Sequence, residues 1–323
     1  MARTSDRAEA ARGLRGFTLI EILIAMAITA IVITSLVMIF VSQQKSYTQQ
    51  SEIARAQANA RGALFAMSRD IRMAGFSGVP LGFDQLSIQG LAYPIVTPNI
   101  SDASVDQTTI EIYGNFSRRT TGLLSGGTAA PNPIFSGDTG LKVSDHSIFQ
   151  GVGVNKPLWV MVGNNDRVVE LHQIETVDAD GTITLKSGES FFHDFEVDNA
   201  IVVPIYRRKF WVGGDHTLWM RNCDTAVLAD GCPSGSDVRL STGIDGIEFS
   251  YDEINALGDA VTTERTKACN PCRIRGVNIK LRTHTQNTYD PNKVINLESG
   301  TSVKVRNIGF ETTSCVISGC SAP

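Results

Sequence analysis

Residues 17–41 form a run of 25 in which Glu21 is the only charged side chain and neither proline nor glycine occurs. At 1.5 Å per residue a helix of that length reaches about 37 Å, more than the roughly 30 Å of a bilayer hydrocarbon core. The run therefore predicts a membrane-spanning helix. Arg3, Arg7, Arg12 and Arg15 precede it, whereas Lys45 and Arg55 are the only basic residues close behind it. This asymmetry places the N-terminus in the cytoplasm and the bulk of the chain outside. A secretory signal peptide would have a shorter apolar core ending in a small-residue cleavage site, so the helix is expected to stay with the protein.

Glu21 needs a partner, because a carboxylate in an apolar helix costs about 2.5–3.5 kcal/mol at mid-membrane and less near the helix end. The string Arg15-Gly16-Phe17-Thr18-Leu19-Ile20-Glu21 ahead of a long apolar helix resembles the class III leader of type IV prepilins and pseudopilins. The resemblance implies that a membrane aspartyl peptidase cuts between Gly16 and Phe17. It also implies N-methylation of the new terminal Phe17, and pairing of Glu21 with the terminal ammonium of a neighbouring subunit. On this reading residues 1–16 are a cleaved leader, 17–41 the transmembrane half of a helix, 42–75 its amphipathic half, and 76–323 a β-rich head. The leader carries two net positive charges, so its removal takes the chain from −4 to −6. An acidic chain lacks the basic face that counter-ion release requires, and no direct nucleic-acid binding is expected.

Beyond Val41 the composition turns polar while helical periodicity persists. Ile53, Ala56, Ala60, Leu64, Met67 and Ile71 recur at spacings of three and four, a stripe that packs one face on a core. Gly75 and Gly78 supply the stop, so a single helix is predicted from Thr18 to Ala74. The wording Ala54-Arg55-Ala56-Gln57-Ala58-Asn59-Ala60-Arg61, then Ser68-Arg69-Asp70-Ile71-Arg72-Met73-Ala74-Gly75-Phe76, resembles the end of this helix in PilW-type minor pilins. Downstream, Ile201-Val202-Val203-Pro204 with Tyr206-Arg207-Arg208, and Thr217-Leu218-Trp219-Met220-Arg221, resemble a strand and hairpin of that family. Residues 243–251 and 275–282 resemble its last strands.

The remainder reads as antiparallel β laid on the second half of the helix, an α+β fold. In 79–157 the sequence is rich in turn residues and has one clear alternating run, Thr109-Ile110-Glu111-Ile112-Tyr113. Short strands joined by long loops, with room for a surface insertion, are expected there. Residues 158–162, 168–171 and 182–185 read as strands, with Asp180-Gly181 as a hairpin corner. Ile247, Phe249 and Tyr251 alternate with Glu248 and Ser250, and Val277, Ile279 and Leu281 with Asn278, Lys280 and Arg282. Ile274 is out of phase with the latter set, which predicts a bulge at Gly276.

All six cysteines follow the helix, where an exported chain meets an oxidising compartment. Sequential pairing is preferred, because Cys223/Cys232 and Cys315/Cys320 each flank a short Gly-containing turn. Cys269 and Cys272 are open to a small-loop disulfide, to cross-pairing with the C-terminal cysteines, or to a zinc or redox site.

No catalytic residue, metal site or cofactor is predicted. His146, His172, His193, His216 and His284 lack ligand spacing, and no nucleophile elbow, phosphate loop or HExxH string occurs. Asp178-Ala179-Asp180-Gly181-Thr182 has Ile183 where a calcium loop of the EF-hand type needs glycine, so a plain hairpin turn is expected. The resemblance thus implies an inner-membrane, single-pass minor pilin with a periplasmic head that passes to the pilus and cell surface. It would help initiate assembly, at the fibre tip, and support motility, adhesion or DNA uptake. Its implied partners are other minor and major pilins, the prepilin peptidase and N-methyltransferase, the inner-membrane assembly platform and the lipid bilayer. Two other readings are a J-type minor pseudopilin of type II secretion and an adhesin-like binding subunit.

Overall fold

In the computed structural model the described residues are 17–74, 95–96, 108–117, 119–126, 133–149, 158–164, 169–223, 232, 235–254, 260–265, 274–287 and 290–305. One helix, α1 (Leu19–Arg72), runs for 54 residues, or about 81 Å at 1.5 Å per residue. Its N-cap is Thr18, and Arg69 and Arg72 in its last turn oppose the negative end of the helix dipole. These limits match the expected helix to within two residues. Thr29, Thr34 and Ser35 donate their hydroxyls to the carbonyls of Ala25, Ala30 and Ile31. These three hydroxyls are thereby satisfied within the helix, as lipid surroundings require.

Residues 17–47 are all exposed, and α1 first becomes buried at Ala60. From there Ala60, Ala63, Leu64, Met67 and Ile71 enter the core, while Ile53 and Ala56 at the head of the predicted stripe are half-buried.

The strands are β1 (Ile95–Val96), β2 (Thr109–Gly114), β3 (Thr121–Gly126), β4 (Gly140–Val143), β5 (Trp159–Gly163), β6 (Val169–Val177), β7 (Thr182–Leu185), β8 (Ile201–Val212), β9 (Thr217–Cys223), β10 (Gly235–Thr242), β11 (Ile244–Ile254), β12 (Ala260–Arg265), β13 (Ile274–Asn287) and β14 (Asp290–Lys304). A 3-10 turn covers His146–Ile148. All the pairings among the described residues are antiparallel, so the chain is α+β with an antiparallel head.

Strand β8 belongs to two structures at once. Its first half pairs with β3 on one edge and β5 on the other, and the order β8-β3-β4-β7-β6-β5 returns to β8, closing a small barrel. Leu123, Leu141, Val160, Ile183, Phe191 and Phe195 fill it. The second half of β8 lies between β2 and β9 in an open sheet that continues to β1 and β10. The second sheet has the order β12-β11-β13-β14. Between the sheets and α1 lies the other core, where Met67 and Ile71 meet Ile110, Phe210, Phe249 and Ile279.

Gly114 is paired with Tyr206, so the chain leaves the open sheet after β2 and rejoins it beside the same residue. The barrel is thus an insertion whose two ends are adjacent. The segment 79–157 carries short strands, as expected, and β2, β3 and β4 among them are integral to the sheet and barrel. Asp180-Gly181 does form a hairpin corner, with Gly181 at φ 90° and Asp180 Oδ2 accepting from Lys142 Nζ at 2.8 Å. The bulge expected at Gly276 occurs one residue earlier: Asp252 and Glu253 face Gly276 and Ile274, leaving Arg275 as the extra residue. Ile274 and Val277 consequently both reach the core.

Candidate functional site

At the membrane end of α1 the first turn is closed by a reciprocal cap. Thr18 Oγ1 accepts from the Glu21 N–H at 3.3 Å, and Glu21 Oε2 accepts from the Thr18 N–H at 2.9 Å and from its hydroxyl at 3.0 Å. Ser or Thr followed three residues later by Glu is the sequence signature of this box, and Thr18-x-x-Glu21 carries it. Glu21 thus has a local role in the cap beside the intersubunit pairing expected from the leader resemblance. Phe17 is 83 % exposed and lies one turn before Glu21. Phe17, Glu21, Ile22, Ala25, Met26 and Thr29 line one shallow groove along the helix. Small residues at Ala25 and Thr29 below the carboxylate let another helix approach closely. The arrangement suits a helix that packs lengthwise against copies of the same kind and presents one carboxylate at the level of their first turn. Gly16, the other residue of the predicted cut, lies outside the described residues.

Away from the helix, two clusters gather histidines that are far apart in sequence. Glu170 is buried in the barrel wall and accepts from His172 Nε2 at 2.8 Å, His193 Nδ1 at 2.6 Å, and the backbone N–H groups of Phe192 and His193 at 3.0 and 2.7 Å. Burial alone would raise its pKa, but these hydrogen bonds outweigh burial and hold the carboxyl below the usual glutamate value. The second cluster is His216, Asp245 and His284, whose ligand-capable atoms lie within 4.8 Å of one another. In sequence these histidines stand singly, without ligand spacing. Only the pairing of β11 with β13, and the position of the β8–β9 turn beside them, brings the three together.

Glu111, on the alternating run of β2, is buried rather than solvent-facing. Arg207 Nε and Nη2 donate to its Oε2 at 3.0 and 2.7 Å, and both side chains are essentially inaccessible. This buried pair sits beside Tyr113, over whose ring the Arg207 guanidinium lies at 5.9 Å.

Cys223 is joined to Cys232, closing the excursion between β9 and β10. Cys269, Cys272, Cys315 and Cys320 lie outside the described residues.

Residues 12–37 match the family described as the prokaryotic N-terminal methylation motif. Neither a curated protein nor a solved structure matches the chain. The matched stretch spans Gly16, Phe17 and Glu21, and it supports a type IV pilin-like or pseudopilin-like protein, membrane-anchored through this helix. The motif implies processing by a prepilin peptidase and assembly with other pilins. It also favours a structural protein over an enzyme.

Proposed function

We propose that this chain is a PilW-like minor pilin of a type IV pilus, held in the inner membrane before assembly and placed at the fibre tip. The observation that carries the reading is the apolar half of α1, exposed throughout residues 17–47 and bearing Glu21 as its one charge up to Val41. Such a helix is stable only in lipid or among equally apolar neighbours, and assembly exchanges the first for the second. Cleavage after Gly16 would give Phe17 an ammonium in that bundle. Either charge alone in apolar surroundings is costly, so a neighbour's Phe17 amine opposite Glu21 fixes the register between subunits.

A bulky head supports a terminal position. The inserted barrel adds a second globular body to the sheets that cover α1, and a subunit of this breadth is harder to repeat along a closely packed fibre than to seat once at its end. Mass spectrometry of the mature N-terminus tests processing, and sheared surface fibres test assembly. A methylated Phe17 terminus and recovery in the sheared fraction are expected. Loss of exoprotein release without loss of fibres on deletion would instead indicate a J-type pseudopilin of type II secretion.

The barrel also favours a second reading, an adhesin-like subunit, because an insertion with adjacent ends can present a surface without disturbing the sheet that bears it. Binding to candidate surfaces that is lost when the barrel is excised would support this role.

A further inference from the structure

Asp245 is the extra residue of a β-bulge: Ile244 and Gly246 on β11 face Thr283 and Arg282, adjacent residues on β13. The bulge keeps Ile244 and Ile247 in the core and turns the carboxylate between them to the surface. There Asp245 Oδ1 meets Nδ1 of His284, on the paired strand, and lies 2.9 Å from Nδ1 of His216. His216 occupies the turn between β8 and β9 at φ 56°, in the left-handed region where His, with Asn and Asp, is enriched among non-glycine residues. Its backbone is held on both sides, its N–H donating to the Gly213 carbonyl at 3.1 Å and its carbonyl accepting from the Ile244 N–H at 2.9 Å. The two rings meet edge to face with centroids 5.3 Å apart. One turn and two strands, from two sheets, are thus fixed so that two imidazole nitrogens converge on one carboxylate oxygen. Among the described residues no Lys or Arg pairs with Asp245.

We propose that His216, Asp245 and His284 form a three-ligand site for a divalent transition-metal ion of the Zn2+ class. Imidazole nitrogen and carboxylate oxygen suit a borderline cation, whereas Ca2+ and Mg2+ prefer all-oxygen shells. Tetrahedral Zn2+ with bonds of about 2.0–2.1 Å needs ligand atoms about 3.3 Å apart. The present separations, from close contact up to 4.8 Å, bracket that spacing. The side chains of Asp245 and His284 are about one-quarter exposed and that of His216 58 %, so the outer ligand can adjust and a fourth position remains open to water. The bound ion would tie the β8–β9 turn of the open sheet to the second sheet. It would do so near the base of the head, where Ser241 Oγ donates to the Asn59 carbonyl of α1 at 3.3 Å. This proposal does not depend on the pilus assignment.

The test uses the full chain, chelator-treated in detergent micelles and titrated with Zn2+ and Co2+. Calorimetry is expected to show a saturable site of unit stoichiometry, with a higher melting temperature in Zn2+. The Co2+ form is expected to absorb in the visible without a sulfur-to-metal charge-transfer band, which separates this site from any formed by cysteines. His216→Gln and Asp245→Asn should each weaken binding by more than about 10-fold. They should leave the metal-free melting temperature close to that of the parent. Because His216 is exposed on a turn, its variant keeps the test valid if Asp245→Asn misfolds. Absence of saturable binding, a thiolate-type Co2+ spectrum, or unchanged affinity in the His216→Gln protein would overturn the proposal.

Discussion

Asp70 Oδ2 of α1 accepts from Arg208 Nη1 of β8 at 2.7 Å, across 138 residues of sequence. The two side chains are 6 % and 14 % exposed. Arg208 also donates to Asn222 Oδ1 and lies over the Phe116 ring at 4.4 Å, so one guanidinium connects helix, strand and loop. Burial lowers the guanidinium pKa and Asp70 opposes that effect. Removing the carboxylate therefore strands a partly desolvated cation. Asp70→Ala should cost about 3–5 kcal/mol in denaturant unfolding of the full chain, with hydrogen exchange rising first in residues 60–72. A loss of about 0.5 kcal/mol, typical of exposed pairs, would mean that the contact does not dock the helix.

Glu21 has two candidate roles that substitutions can separate. Gln at the same position can still complete the cap to Thr18 but carries no charge, whereas Ala removes both. If charge pairing governs assembly, Glu21→Gln and Glu21→Ala should each insert in the membrane and both fail to enter fibres, as read by immunoblot of sheared and membrane fractions. Wild-type fibre content for Glu21→Gln would assign the residue to the cap alone.

Glu170 should make the barrel acid-sensitive. Its folded pKa lies below the ordinary value of 4.5, so the unfolded state binds the proton at higher pH than the folded state does. The stabilisation is present above pH 4.5 and is lost as pH falls from there through the folded pKa. Glu170→Gln should lower stability at pH 7 by about 1–3 kcal/mol. It should also flatten the fall in melting temperature below pH 4.5. A variant whose acid profile still parallels the parent's would exclude Glu170 as its source.

The Cys223–Cys232 bridge closes a loop with a sequence separation of 9. Loop-closure entropy alone gives about 2.6 kcal/mol for such a ring. Replacing both cysteines by serine should lower stability by about 2–3 kcal/mol. It should also increase exchange at the end of β9, where Arg221 donates to the Cys232 carbonyl. Unaltered exchange there would show that the salt bridge of Arg221 with Asp237, at 2.6 Å, suffices to hold the strand pair.

The helix was legible almost to the residue because every signal for it is local: an uninterrupted apolar run, Thr18 at its start, and a stripe spaced for one face. Alternation likewise revealed β11 and β13, and the phase break before Gly276 located a bulge to within one residue. A matching break at Ile244-Asp245-Gly246-Ile247, where two core residues stand three apart, was equally readable and was missed. The barrel was not written in any local pattern. Its closure depends on β8 offering β3 and β5 opposite edges, and strand periodicity carries no record of which edges adjoin. The same holds for Glu111 with Arg207, 96 residues away, and for His216 beside Asp245 and His284. By itself, then, the sequence determined what depends on neighbours within a few residues: the helix, the solvent it requires and the strand faces. Tertiary structure alone decided which distant polar groups share a site, because those contacts exist only once the chain entropy of bringing the strands together has been overcome by burial of their cores.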